Sequence, residues 1–433
     1  MITDMDINRF ATQSLQDVRL LRIFSAALEA VDPFKAVQKY LPNLEGRVFG
    51  LGIGKAAIPM MDALVEQIPV SGGLAVTKFA SGMHRELYTI LEGGHPIPDG
   101  RSLYAGGQVL EFVSRLNEND TLVCLISGGG SALVTVPYIP LEDLQTLTSL
   151  LLSGGARIDE INILRRQLDQ IKGGGLARAT NARIISLILS DVIGNPLEAI
   201  ASGPTAPDPT TKGDALDILE KYSSLTTETQ RHRDDLSSVS LSLRGSKTLE
   251  TLKPDNPIFG RVQNMIIGDN KLAAQAALNQ AVYEGFHAEI LTNELQGEAR
   301  QRGVELAQSL RISISSRPRP FCLILGGETT VTMQGNGKGG RNQELALAAV
   351  NELRDVENVF LITLATDGDD GPTDAAGAVV TGESARRAEK LGLDAAAYLS
   401  RHDSYVFFQA LDDLLMTGPT GTNVNDLIFL FAL

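Results

Sequence analysis

Cysteine is nearly absent from the 433 residues, tryptophan is wholly absent, and only 5% of the chain is aromatic. Cys124 and Cys322 each sit inside an apolar run, LVCLI and PFCLIL, the setting of a buried small hydrophobe. No CxxC pair occurs, which argues against a disulfide framework and for a reducing, cytoplasmic compartment. So few aromatics provide no ladder on which bases could stack. The five histidines show no metal-ligand spacing, and neither GxSxG nor HExxH is present. No apolar run exceeds strand length, so no segment is expected to cross a membrane. The opening residues, MITDMDINRF, are acidic and lack an apolar core, and no secretory signal is expected there. Cations are outnumbered: 38 Lys and Arg against 52 Asp and Glu leave a net charge of −14, a surface that repels nucleic acid and anionic lipid. An anionic substrate must then be captured by a local positive site against the global field.

The rest is ordinary soluble-protein material, 43% apolar and 21% charged, in a chain too long for one core. Apolar runs at 47–51, 75–78, 88–92, 121–127 and 182–190 lack polar alternation, as strands covered on both faces do, and parallel pairing is expected. Helical patterns at 55–67 and 101–116 fall between them. A polar stretch, 212–254, breaks the rhythm and suggests a helical connector or domain boundary. Beyond it, strands are expected at 263–267, 287–291, 320–325, 359–365 and 426–432, with helices at 271–284, 298–315 and 342–353. The expected fold class is α/β, with two α/β/α domains at residues 1–250 and 251–433. The first is Rossmann-like with a mainly parallel sheet, and the active site lies in the interdomain cleft. The segments ISLILSDVIGNP and FLITLATDGDDGP echo one another, through duplication or through convergence on one local solution.

Ligands of open parallel sheets bind beyond the carboxyl ends of the strands, and six such ends carry glycine or charge. In GLGIGKAA, Gly52 and Gly54 let backbone approach a ligand and Lys55 adds a point charge, a degenerate phosphate loop. The same residues with Ala57 match GxGxxA, but LAVTK follows without the acidic residue that would hold a ribose. In SGGGSA, Ser127, Gly128, Gly129, Gly130 and Ser131 can form a nest of N–H groups for phosphate or carboxylate. NILRRQLDQIKGGG offers Arg165, Arg166 and Lys172, with at most one of the two arginines pointing inward. It is either an anion site or a solvated helix with a glycine stop. Asp191 ends a strongly apolar strand, where a carboxylate can take a proton from a hydroxyl or hold Mg²⁺. In GNGKGGRNQE, glycines enclose Lys338, Arg341 follows, and a helix starts at once, a strong anion-site pattern. TDGDDGPTDAAG carries Asp367, Asp369 and Asp374 without the closing glutamate of a calcium loop. His95, in EGGHPIPDG, is the one histidine in a glycine-rich loop, a substrate contact or a structural hydrogen bond.

Taken in order, GIGKAA, EGGHPIPDG, LISGGGSAL, NILRRQLDQIKGGGLA, LSDVIGNPLEAIASGPT, IIGDN, GGETTVT, GKGGRNQE, ATDGDDGPTDAAGA and TNVNDL resemble the class II glycerate 2-kinases, whose C-terminal part is the MOFRL domain. The resemblance runs from about Ile53 to the C-terminus. It implies ATP- and Mg²⁺-dependent phosphorylation of D-glycerate to 2-phosphoglycerate. It also implies that Lys55, Asp191 and Arg341 are catalytic. Its motifs place Asn195, Asp269, Asn270, Glu328, Thr329, Lys338, Asn342 and Asp367 beside Gly52, Gly54, His95 and the Ser127–Ser131 segment as substrate or nucleotide contacts. Mg²⁺ is expected near Asp191 or Asp367. The partners are then glycerate and nucleotide, with no nucleic acid and no membrane; a homodimer is compatible with the sequence. An NAD(P)H-dependent hydroxypyruvate reductase, resting on the GxGxxA match, is the enzymatic alternative, and a non-catalytic sugar-acid binding protein is the other.

Overall fold

The computed structural model describes residues 6–80, 83–225, 239–240, 242–245, 249–333 and 335–433. The chain divides into two compact units, residues 33–267 in one, and residues up to Asp32 together with 268–433 in the other. The boundary expected at 250/251 therefore lies inside the first unit.

In the first unit, six strands line up in the order β3-β2-β1-β4-β5-β6: β1 (Arg47–Ile53), β2 (Gly72–Thr77), β3 (Thr89–Glu92), β4 (Asp120–Ile126), β5 (Arg183–Leu189) and β6 (Val262–Gly268). β1, β2, β3, β4 and β5 pair in parallel throughout. This is the Rossmann order, and its direction of winding reverses between β1 and β4. Every residue of β4 is buried, and apolar side chains from Leu51, Val76, Leu122, Cys124 and Ile184 share one core. A second apolar cluster forms apart from the sheet. Helices Leu141–Ser153, Ile158–Gln167 and Lys212–Leu225 pack through Leu147, Leu151, Ile161, Leu164 and Leu219. Much of the 212–254 stretch beyond Leu225 lies outside the described residues.

The second unit holds a sheet in the order β11-β10-β9-β12-β8-β7: β7 (His287–Leu295), β8 (Phe321–Gly327), β9 (Val359–Ala365), β10 (Gly377–Thr381), β11 (Leu414–Leu415) and β12 (Asp426–Ala432). Only β7 and β8 run in parallel; β8, β12, β9, β10 and β11 pair antiparallel. Continuous apolar runs therefore report burial on both faces, not strand direction. β5 pairs in parallel with β4, whereas both partners of β9 are antiparallel. The echo between the two strand–aspartate motifs is thus local and does not extend to topology.

Helix Val18–Glu29 explains why the first residues join the distant C-terminal part. Its buried stripe includes Leu20, Leu21, Phe24 and Leu28, and the Phe24 ring lies 4.8 Å from that of Phe429 and 6.3 Å from that of Phe431 on β12. Truncating a fully buried phenylalanine costs about 3–5 kcal/mol. Phe24→Ala should accordingly lower the calorimetric unfolding temperature of the second unit; an unchanged thermogram would contradict this packing role.

Candidate active site

The switch point of the first sheet brings the β1 and β4 loops together. Gly54 takes φ +129°, and a side chain there would overlap Ser127. The amides of the first loop are then consumed one by one. Gly54 N–H donates to Val76 O at 3.1 Å, Lys55 N–H to Gly128 O at 2.9 Å, Ala56 N–H to Ser127 Oγ at 3.0 Å and Ala57 N–H to Gly54 O at 3.2 Å. GLGIGKAA is therefore no phosphate cradle, because its N–H groups bind protein. What it presents is the exposed side chain of Lys55.

The second loop has the opposite character. Among the described residues, the N–H groups of Gly128, Gly129, Gly130 and Ser131 have no protein acceptor. Gly129 adopts φ +84° and precedes the short helix Gly130–Leu133, so successive amides turn to one side as in an anion nest. Asp191, two residues beyond β5, lies against this loop, and a methyl group on Gly128 would overlap its carboxylate. At Gly129, a β-carbon would stand 3.2 Å from His95 Cδ2 and 3.3 Å from Lys55 Cγ. Lys55, His95, the Ser127–Ser131 segment and Asp191 are thus gathered at one strand-end site. Asn195 follows in the same turn at φ +54°, its N–H on Val192 O.

Electrostatics fit an anion. Burial, and then the charges of Lys55, Lys78 and Arg165, hold the His95 imidazole down at about 4, so it is neutral near pH 7. The two arginines are not divided into one inward and one outward. Arg166 is buried on Asp208 at 2.9 Å, and Arg165 reaches Ser131 Oγ at 3.5 Å. Lys172 is buried against Asp169 at 2.5 Å and donates to Val134 O, so the KGGG segment braces the fold instead of facing a ligand. The sequence left Arg165 between an anion site and a solvated helix, and it did not single out Lys78. The signal was available for Lys78, which ends a strand beside Lys55.

The remaining candidates lie on the second unit. Arg341 Nε donates to Asp426 Oδ2 at 2.5 Å, its Nη2 to Oδ1 at 3.0 Å, and Nη1 pairs with Glu328 at 3.0 Å. Burial opposes its charge, but Asp426, Glu328 and Asp370 outweigh that and raise its pKa. The helix Arg341–Ala349 was expected to offer its first N–H groups to a ligand. Instead Asn342 N–H and Gln343 N–H donate to the buried Asp370 carboxyl at 3.1 and 2.8 Å. Asn270 donates to Val424 O and Asp426 O, both at 2.9 Å, and Asp269 caps Leu272 N–H at 2.8 Å. Lys338 Nζ stacks 3.7 Å over the Tyr405 ring. Thr329 is buried, and Asp367 accepts from Asp369 N–H at 3.3 Å. Each of these contacts lies within the second unit. Among the described residues, no three His, Cys, Asp or Glu groups form a metal cage, and no helix is long and apolar enough to cross a membrane. Mg²⁺ takes oxygen ligands and is satisfied by one or two carboxylates plus substrate phosphates. The Asp191 carboxylate beside an anion nest fits an ion carried by phosphates.

Two family models match the chain: a Domain of unknown function (DUF4147) over residues 19–234, and the MOFRL family over residues 321–426. The D-glycerate 2-kinase of Thermotoga maritima is 42% identical over 429 residues, covering 97% of this chain and 99% of that protein. The glycerate 2-kinase of Pyrococcus horikoshii is 41% identical over 428 residues, covering 94% and 95%. A crystal structure of glycerate kinase from Thermotoga maritima superposes with a TM-score of 0.85 at 42% identity, over 95% of this chain and 98% of that one.

Burial, opposed by the Gln343 and Asn342 amides, pushes the Asp370 carboxyl up to about 7 from an ordinary 3.8. The fold thus favours its protonated form. That stabilisation is complete below the ordinary value and lost as pH rises through about 7. Replacing Asp370 by Asn should flatten the decline in unfolding midpoint between pH 5 and 8; equal declines in both proteins would contradict it.

Proposed function

The chain belongs to the glycerate kinase family with a MOFRL domain, and on that premise we propose that it transfers the terminal phosphoryl group of ATP to the 2-hydroxyl of D-glycerate. The observation that carries this proposal is the pairing of an open amide nest with Asp191 on one flank and the cations Lys55, Lys78 and Arg165 around it. Phosphoryl transfer demands positioning and charge neutralisation more than covalent chemistry. Asp191 accepts the hydroxyl proton as the new O–P bond forms at the glycerate oxygen and the bond to the β-phosphate oxygen breaks, releasing ADP. Lys55 neutralises charge growing on the transferred group, and His95 stands neutral beside it. Arg341 is assigned a part in turnover by family resemblance alone, and kinetics must test it. When bound, Mg²⁺ would neutralise ATP phosphate oxygens, with Asp191 or Asp367 the acidic side chain available to it through water.

No feature favours a reductase. The loop that would receive a dinucleotide pyrophosphate has no amide left to give, and β2 runs into Lys78 where a ribose-binding carboxylate would stand. Cys124 and Cys322 are buried free thiols, burial raising the first to about 12, which suits a cytoplasmic setting.

With ATP and D-glycerate, wild-type protein should release ADP and form 2-phosphoglycerate, whereas hydroxypyruvate with NADH should give no oxidation. Lys55→Ala, Asp191→Asn and Arg341→Ala should each lower kcat on the order of a hundredfold. Near-normal turnover in all three would remove the assignment. Gly128→Ala, which displaces the Asp191 carboxylate, should cost about a hundredfold with little change in melting temperature; full activity would place Asp191 outside the chemistry.

A further inference from the structure

A three-carbon acid offers a kinase one fixed charge, its carboxylate, next to the hydroxyl that reacts. The carboxylate's binding group must therefore sit close to the base, and it must be a cation not already neutralised. The neighbourhood of the nest contains three buried or half-buried cations of one segment. Arg166 is held by Asp208 at 2.9 Å and Lys172 by Asp169 at 2.5 Å. Among the described residues, Arg165 has no carboxylate within salt-bridge distance; its polar contact is Ser131 Oγ at 3.5 Å.

We infer that Arg165 is the group that binds the carboxylate of glycerate, in concert with the nest amides, an assignment that rests on the kinase function proposed above. Gly128 touches the Asp191 carboxylate, and Ser131 touches Arg165, so base and cation flank the same tight turn. A guanidinium offers a carboxylate two parallel hydrogen bonds, which fixes the acid's orientation as a lysine does not. Its carrier helix is held firmly. Glu160 on that helix accepts from Lys221 Nζ at 2.6 Å and from Tyr222 OH at 2.7 Å, and Arg166 is locked to Asp208. Ser131 is itself fixed by Ser202, Oγ to Oγ 2.7 Å. Burial lowers the Arg165 pKa, partly offset by Asp169, so the guanidinium gains from an incoming anion what it lacks from the protein.

The test is steady-state kinetics of Arg165→Met and Arg165→Lys, varying D-glycerate and ATP separately. Arg165→Met should raise the KM for D-glycerate by roughly one to two orders of magnitude, leave the KM for ATP within about threefold, and melt at the wild-type temperature. Arg165→Lys should recover part of the loss. A rise in the ATP KM alone, equal rises for both substrates, or no change in either would overturn the assignment. If Arg165→Met does not fold, the lysine variant gives the same KM split. A wild-type protein that releases no ADP with D-glycerate would overturn the kinase function itself. An active wild type with an indifferent Arg165 overturns only this assignment.

Discussion

The docking of one loop on another sets the character of the first unit's ligand site. Lys55 N–H on Gly128 O and Ala56 N–H on Ser127 Oγ tie the turn after β1 to the turn after β4. Each bond satisfies a donor of the first turn and leaves the donors of the second exposed to a ligand. Gly54 permits the approach, since any side chain there would overlap Ser127. The same contact aims the Lys55 side chain across Gly129 towards His95. A loop whose pattern reads as a phosphate binder thus supplies a cation and a scaffold, and its neighbour keeps the amides that no protein acceptor takes.

The charge distribution follows from that division. The chain is acidic overall, yet burial, joined by three nearby cations, keeps His95 neutral. Locally positive charge in an acidic molecule selects small anions by desolvation and geometry instead of by long-range attraction. The second unit solves the opposite problem. Arg341, Asp426, Glu328 and Asp370 form a cluster in which the arginine is surrounded by acid, and one carboxyl titrates near neutrality.

Much of this was legible in the residues. Apolar runs located ten of the strands, and glycine with charge at their ends marked Lys55, the Ser127–Ser131 segment and Asp191, which lie together at one strand-end site. Strand direction in the second sheet was not legible, because a run buried on both faces looks the same in parallel and antiparallel pairing. Phe24 gave no sign that it would pack on Phe429, since a contact across four hundred residues leaves no local pattern. Asp370 was hidden within an acidic run whose other members drew attention to calcium. The internal roles of Asn270 and Lys172 could not be told from ligand roles by residue type, because the same amide or ammonium serves either purpose.

Anions are expected on the Gly128–Ser131 amides and not on the Gly52–Ala57 loop. A crystal structure with D-glycerate and a non-hydrolysable ATP analogue tests it most directly. The predicted result is an anionic oxygen within hydrogen-bond distance of at least two of the four amides, with the 54–57 amides still bound to protein. Ligand oxygens on the Gly54–Ala57 amides, with the Gly128–Ser131 amides unengaged, would contradict it.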